Sequence, residues 1–384
     1  MLIDTMANKK DRYRRKVRKM RTFEYVMTGI ALLLLVCAYA GRVNPNMFFP
    51  APFLGLAFMP IFILSVVMLA VALFARRPLA FWIMVAALVL CLPVSHKFIP
   101  INTSENKPAI PVDRAAMLKV MTYNVLGFNY HEPSLGDKPS ESVKLILDAD
   151  PDVVLMQEGN ASGVEWNEIP SLKPFQQQIA NKYPYRYQSN EGLNIWSKFP
   201  FSTVPLGNAS QGRSVLGFNR NQTSHIARAY DLQLPSGKQL RLIDFRLQSY
   251  HLSFGKNMSV RVSPDVKPSA LERMRRSFAL RDENASMLRR EIDKSPENVI
   301  VCGDMNDIPA SHVYRLISGA DLKDAWVKVG LGYGYTYNRF GLCYRIDHIL
   351  YRGDVRALRA DRIKGGSSDH YPVMVTFDID VNNE

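Results

Sequence analysis

This sequence predicts an α/β fold: a two-sheet β-sandwich flanked by helices in four layers, preceded by three transmembrane helices. Three observations carry the prediction. Three long apolar runs crowd the first hundred residues, apolar strands outnumber helical periods beyond residue 117, and several neighbouring strands are joined by turn residues. Hairpin-linked strands favour a largely antiparallel sandwich over a doubly wound parallel sheet.

Among the apolar runs, residues 23–41 hold one charge, Glu24 at the edge, while 53–74 and 79–95 hold none. A helix needs about 20 apolar residues, within roughly 17–25, to cross a bilayer, so the third run qualifies at the short end. Pro60 inside the second is tolerable because packed neighbours can satisfy the freed backbone groups. No ionisable residue lies deep in any run, which argues against a transporter and for an anchor. Three runs also argue against a cleaved signal peptide, which has one apolar core. Orientation follows the basic residues: KKDRYRRKVRKMR at 9–21 and the pair Arg76-Arg77 belong in the cytoplasm, while the loop 42–52, with Arg42 alone, faces the other side. Everything after about residue 96 is then expected outside the cytoplasm, on a protein integral to the cell's inner membrane.

At 384 residues the chain exceeds the usual single domain. The expected division is a basic cytoplasmic tail at 1–22, a three-span anchor at 23–95, a proline-rich linker at 96–116 and a soluble domain at 117–384. The first 100 residues hold 13 Lys/Arg and 3 Asp/Glu, so they supply +10 of the chain's +13 and the soluble part only +3. The high pI therefore does not point to nucleic-acid binding by that part. Cys37 and Cys91 lie in apolar runs, and no Cys/His zinc spacing occurs. Cys302 and Cys343 are either a disulfide or two free buried thiols.

Within the soluble part, 118–123 alternates apolar and polar and ends at Asn124. Residues 141–149 place Val143, Ile146 and Leu147 on one helical face and stop before Pro151. The run 152–156 is an apolar strand ending at Gln157-Glu158. Strands are expected at 193–196, 226–234 and 239–247, the last two joined by Pro235-Ser236-Gly237. A long helix follows at about 270–292, then strands at 299–302, 346–351 and 373–377.

Asn124, Glu158, Asp304, Asn306, Asp347 and Asp369 all fall at or beside the ends of these strands. If the strands share one sheet edge, the residues converge in one cleft. Oxygen donors of this kind suit a hard divalent ion such as Mg²⁺ or Mn²⁺. An ion, a base for water and donors for developing charge are what phosphate-ester hydrolysis requires. Alone, Asp304 after a strand would more often be a cap or turn residue, and His370 a structural histidine; it is the set that points to chemistry.

The segments MTYNV, PDVVLMQE, GLNIWSKFP, GDMNDIPASHVY, RIDHIL and SSDHYPV, in this order, resemble those of the endonuclease/exonuclease/phosphatase superfamily over about residues 117–380. The resemblance implies that Glu158 is the principal metal ligand, supported by Asn124. It implies that Asp304 positions or deprotonates water and that Asn306 holds a phosphate oxygen. His370 would contact the scissile phosphate, oriented by Asp347, and Asp369 would serve the metal or its waters. The substrate is a phosphoester whose class, nucleic acid, phospholipid headgroup or small molecule, the resemblance leaves open.

One motif departs from the pattern. The family's Asn-x-His-Leu segment matches Asp244-Phe245-Arg246-Leu247, so Arg246 replaces a histidine. Arginine clamps phosphate bidentately but cannot transfer a proton near neutral pH. Arg246 is thus either a catalytic and substrate-binding clamp or half of an ion pair with Asp244 that weakens activity. His251 is a replacement if the strand end curls back. Residues 249–276, with Arg261, Lys267 and 272–276, form either a basic lip or a solvated face. The stretch 330–344 either lines the pocket, as in the family, or is a surface loop. The competing functional reading is a phosphate-binding module without turnover.

Overall fold

The computed structural model describes residues 2–103, 117–130, 138–160, 164–206, 226–249, 269–339 and 341–380. It divides into two compact units, Met1–His96 with Ala310–His312, and Lys97–Pro309 with Val313–Glu384. The chain opens with α1 (Leu2–Tyr39), α2 (Ala51–Leu56), α3 (Phe58–Phe74) and α4 (Pro78–Phe98). Small side chains, among them Ala31, Ala38, Ala72, Ala80 and Ala87, are buried between these helices, while Leu32, Ile63, Val67, Leu73 and Leu90 face outward. Close packing through small residues with an apolar exterior is how helices associate in lipid. The Tyr39 hydroxyl donates to the Leu90 carbonyl at 2.6 Å and ties α1 to α4.

Among the described residues two helices, not three, are long and apolar enough to cross a membrane: Val17–Arg42 and Pro78–Phe98. The expected run 53–74 is broken at Ala57, leaving a 17-residue α3. Pro60 explains the break, since it cannot donate to the Leu56 carbonyl and its ring crowds that group. At ~1.5 Å per residue α3 spans about 25 Å, short of the ~30 Å hydrocarbon layer.

The second unit contains β1 (Met117–Asn124), α5 (Glu141–Ala149), β2 (Val153–Gln157), α6 (Gln176–Lys182), β3 (Tyr185–Tyr187), β4 (Asn194–Ser197), β5 (Phe201–Val204), β6 (Ala227–Gln233) and β7 (Gln239–Arg246). It continues with α7 (Ala270–Asp293), β8 (Val299–Asp304), α8 (His312–Ser318), β9 (Lys323–Asp324), α9 (Ala325–Val329), β10 (Tyr337–Arg339), β11 (Leu342–Tyr344), β12 (Asp347–Arg352), β13 (Arg356–Arg362) and β14 (Val373–Asp378). One six-stranded sheet runs β13-β14-β1-β2-β4-β3 and the other β5-β6-β7-β8-β12-β9. Both are mixed: β1 and β2 are parallel, as are β7 and β8, and the other pairs in these sheets are antiparallel.

Period-two alternation builds the layers. Leu118, Val120, Val153, Leu155, Leu240, Leu242, Ile300, Cys302, Ile349 and Tyr351 face one another between the sheets. The intervening Met121, Tyr123, Val154 and Met156 pack outward with Val143 and Ile146 of α5. On the other side Ile243, Phe245, Val299 and Val301 pack with Ala285, Leu288 and Ile292 of α7. Helices outside, sheets within: the four layers follow. Ser140 starts α5 by accepting Val143 N–H, and Ser269 starts α7 by accepting Glu272 N–H.

Two expectations change. All four cysteines are free, with Cys302 buried between the sheets, so the disulfide alternative falls. The near end of the linker is docked within the second unit: Asn102 Nδ2 donates to the Val327 and Gly330 carbonyls, Gly332 N–H donates to Pro100, and Ile101 bridges Leu331. His251, Arg261 and Lys267 lie outside the described residues, as does 104–116.

Candidate active site

The same alternation that fills the inter-sheet core delivers polar side chains to its rim. Continuing past Val120 and Thr122, the inward position of β1 is Asn124, and past Ile300 and Cys302 that of β8 is Asp304. On β7 the inward positions after Leu242 are Asp244 and Arg246. Parallel β1 and β2 end together, with Asn124 opposite Gln157, and parallel β7 and β8 end together, with Arg246 opposite Asp304. β12 runs antiparallel to β8, so its first residue, Asp347, is the one opposite Asp304. β14 runs antiparallel to β1, so His370, just before it, arrives at the same rim.

Backbone turns then fix the side chains. Gly303 has φ +154°, and a Cβ there would lie 1.9 Å from the Phe245 carbonyl oxygen, so only glycine lets β8 approach β7 this closely. Asp304 Oδ1 accepts Asn306 N–H at 2.9 Å, an Asx turn that holds Asn306 at φ 52°. Asn306 Nδ2 donates to Asp304 Oδ2 at 3.0 Å and to the Leu247 carbonyl at 2.9 Å. Glu158, at φ 53°, leaves the strand end with Gly192 against its backbone.

Asn124 Nδ2 joins the two sheets by donating to Glu158 Oε1 at 2.9 Å and Asp304 Oδ2 at 3.1 Å, while its own Oδ1 accepts Leu126 N–H. Arg246 Nη2 lies 2.7 Å from Glu158 Oε1. Of the two alternatives for Arg246, the ion pair with Asp244 is not what forms: Gln157 Nε2 donates to Asp244 Oδ1 instead. His370 Nδ1 lies 2.9 Å from Asp347 Oδ2, with both side chains buried. Donor atoms of Asp304, Asp347 and His370 all lie within 4.8 Å of one another. Asp369 stands slightly apart, its Oδ2 at 3.2 Å from Arg339 Nη1.

Charge crowding shows in the titration of these groups. Burial pushes Asp304 up to about 6, aided by Asp347 and opposed by His370 and Arg246. Burial works against an imidazolium at His370, yet Asp347, Asp304 and Asp369 outweigh it and raise the ring to about 10. At neutral pH the ring is therefore a cationic donor, beside a carboxylate that titrates close to neutrality.

Three supporting residues lie in segments that sequence reading marked, SSDHYPV and 330–344, without assigning them a role. Ser368 Oγ donates to the Asn124 carbonyl at 2.7 Å and accepts His370 N–H, pinning the loop to β1. Thr336 Oγ1 accepts Ile346 and Asp347 N–H. Tyr337 packs edge-on against His370 at 5.2 Å between ring centres. The Ser-x-His spacing was the visible signal; the other two act across long sequence separations.

A divalent cation fits the donor set. Asp347 Oδ1 and Asp369 Oδ1 are buried carboxylate oxygens with no hydrogen-bond partner among the described residues. Such oxygens call for a cation or a solvent donor.

The family model described as Endonuclease/Exonuclease/phosphatase family matches residues 121–370, well over half of the chain. A second model, for a domain of unknown function, matches residues 21–98. No curated protein matches the sequence. The chain is similar to the solved structure of an endonuclease/exonuclease/phosphatase family protein from Bacteroides thetaiotaomicron, with 16% identity, 68% of this chain and 97% of that one covered, and TM-score 0.45. It is similar also to a mannosyl-6-phosphatase of the same organism, with 15% identity, 68% and 99% coverage and TM-score 0.45. The human Nocturnin catalytic domain with bound sulfate gives 18% identity, 68% and 93% coverage and TM-score 0.43.

Proposed function

Because the chain belongs to the endonuclease/exonuclease/phosphatase family, we propose that it is a membrane-anchored phosphoesterase, dependent on a divalent metal, that hydrolyses phosphodiester or phosphomonoester bonds with an activated water. The observation that carries this reading is the meeting, at one rim, of the buried His370–Asp347 pair with Asp304. Glu158, with Asn124, Asp369 and the Asp304–Asp347 pair around it, would hold Mg²⁺ or Mn²⁺. When bound, the ion supplies Lewis-acid polarisation of a phosphoryl oxygen.

The chain's own residues do the rest. Asp304 orients a water in line with the phosphorus and accepts its proton as the new P–O bond forms. Asn306 and Arg246 donate to phosphoryl oxygens and steady the developing charge. His370, a cation held by Asp347, donates a proton to the leaving ester oxygen as the old P–O bond breaks. The products are the free alcohol together with inorganic phosphate from a monoester or a phosphomonoester from a diester.

An active site outside the cytoplasm requires α3, 17 residues long and so at the short limit of about 17–25 for a span, to cross the bilayer with α1 and α4. Support comes from its lack of charge and from the basic pair Arg76-Arg77 that follows it. Cysteine labelling from each side of the membrane at loop 42–52 and at residue 380 tests this: labelling of both from outside supports three crossings, and labelling of residue 380 from inside removes the claim.

Hydrolysis by the full chain in detergent tests the activity, with a generic phosphodiester, a phosphomonoester, DNA and a phospholipid, each with Mg²⁺, Mn²⁺ or EDTA. Expected is metal-dependent turnover that falls about 10²–10⁴-fold in His370→Ala and is lost in Glu158→Ala. Metal binding without turnover on any substrate would leave the phosphate-binding module as the reading.

A further inference from the structure

Arg246 stands where the reacting groups of both sheets meet, and its bonding is incomplete. One guanidinium nitrogen, Nη2, lies 2.7 Å from Glu158 Oε1. Nε–H of the same side chain is buried and has no hydrogen-bond partner among the described residues. Two strands across the register from it, Asp347 Oδ1 is equally unpartnered, as is Asp369 Oδ1. A donor and two acceptors stranded at one rim do not satisfy one another as placed. A cation for the acceptors together with an anion for the donor would satisfy all three.

We propose that Arg246 is a resident counter-cation: its guanidinium holds Glu158 until a divalent ion takes that carboxylate, and then turns onto a phosphoryl group, so that metal and phosphate binding are coupled through this one side chain. The inference rests on the reading of the rim as a metal-dependent phosphoester site. A hard ion and a guanidinium compete for the same carboxylate oxygen, because each draws its binding from the full negative charge there. Displacement needs only a side-chain movement. The Arg246 backbone is fixed at the end of β7, where its N–H donates to the Ile226 carbonyl at 2.9 Å, and the side chain is about one-third exposed (35%). Once released, the planar fork offers Nε and Nη2 together, the pairing that matches two oxygens of a phosphoryl group. Histidine at this position could not do this, having a single ring edge and a weaker charge.

The consequence is reciprocal by thermodynamic necessity: whatever factor metal adds to phosphate affinity, phosphate adds to metal affinity. The test measures free Mn²⁺ by electron paramagnetic resonance during titration of the full chain in detergent micelles, with and without inorganic phosphate. Wild type, Arg246→Gln and Arg246→Lys are compared. In wild type, phosphate should tighten Mn²⁺ binding by about fivefold or more, within the usual range of coupling. In Arg246→Gln, Mn²⁺ alone should bind about tenfold tighter than in wild type, since the competitor is gone, and phosphate should no longer tighten it. Arg246→Lys keeps the charge without the fork, so Mn²⁺ affinity should stay near wild type while the phosphate effect shrinks.

Mn²⁺ bound no more tightly by Arg246→Gln than by wild type, or a phosphate effect that survives both substitutions, overturns the proposal while leaving the metal site intact. Absence of Mn²⁺ binding by folded wild-type chain overturns the metal reading and this inference with it.

Discussion

A buried acid can be read from its hydrogen bonds. Asp244 is fully buried between the sheets, accepts one bond from Gln157, and its Oδ2 has no hydrogen-bond partner among the described residues. Burial pushes its carboxyl well above the usual carboxylate range, more than Gln157 and the Phe245 N–H pull it back. The folded chain therefore holds a proton that the unfolded chain releases at about pH 3.9. Stability from this group is fully present below that pH and is lost as pH rises toward the folded value. Asp244→Asn keeps an acceptor for Gln157 and cannot ionise. The variant should unfold at the same temperature as wild type near pH 4 and at a higher one at pH 8, by calorimetry of the metal-free chain. A wild-type advantage at pH 8 would show instead that the ionised carboxylate is stabilising. The sequence marked Asp244 as a departure from the family's asparagine, but its partner could not be read, because Gln157 lies 87 positions away. A neutral carboxyl at that position resembles the amide it replaces. Arg246 likewise stood out in the sequence, and only the fold brings Glu158 to it.

Elements placed the site more legibly than residues did. Strand ends at Asn124, Gln157 and Asp304 were readable because apolar alternation stops there. Convergence at one rim follows once two parallel pairs sit within two antiparallel frames. What alternation did not reveal were elements without apolar periodicity. β13 reads RALRADR and β10 reads YNR; both are held by cross-strand partners rather than by their own pattern. The linker reading yielded for the same reason. Residues 97–102 carry no apolar period, yet the Lys97 carbonyl accepts Arg345 Nη2 at 2.9 Å, Asn102 makes two bonds, and Pro100 accepts Gly332 N–H. Arg345 is buried against Asp324 and His348, so removing its carbonyl partner leaves charge poorly solvated. Four bonds at about 1 kcal/mol each put the strap at roughly 4 kcal/mol. A fragment of residues 104–384 should therefore melt roughly 10 °C below one of residues 97–384. Equal melting temperatures would show that the strap is dispensable.

At the scale of the whole second unit, the site is the seam between two sheets. Asn124 and Glu158 come from one sheet, and Arg246, Asp304 and Asp347 from the other. Polar cross-links between the sheets include Asn124 to Asp304, the Arg246–Glu158 ion pair, the Gln157–Asp244 bond and the His370–Asp347 pair, set beside an apolar core. Acidic groups gathered at such a seam repel one another, and a divalent ion shared by Glu158 and the Asp304–Asp347 pair would turn that repulsion into a clasp. The folded state alone presents the assembled donors, so binding adds stability as ligand excess grows, about 2.7 kcal/mol at a concentration one hundred times the dissociation constant. Mn²⁺ or Mg²⁺ at that excess should raise the unfolding temperature of wild type, and EDTA should abolish the rise. Amide hydrogen exchange should slow at the ends of β1 and β2 as well as β7 and β8, because the ion joins both pairs. Glu158→Gln keeps the Asn124 contact but removes one sheet's charged donor, so the exchange protection at β1 and β2 should vanish first. Protection confined to β8 and β12 in wild type would mean that the ion sits on Asp304 and Asp347 alone and that Glu158 is bound to Arg246 throughout, which would take the clasp away and leave the two sheets held by their apolar core.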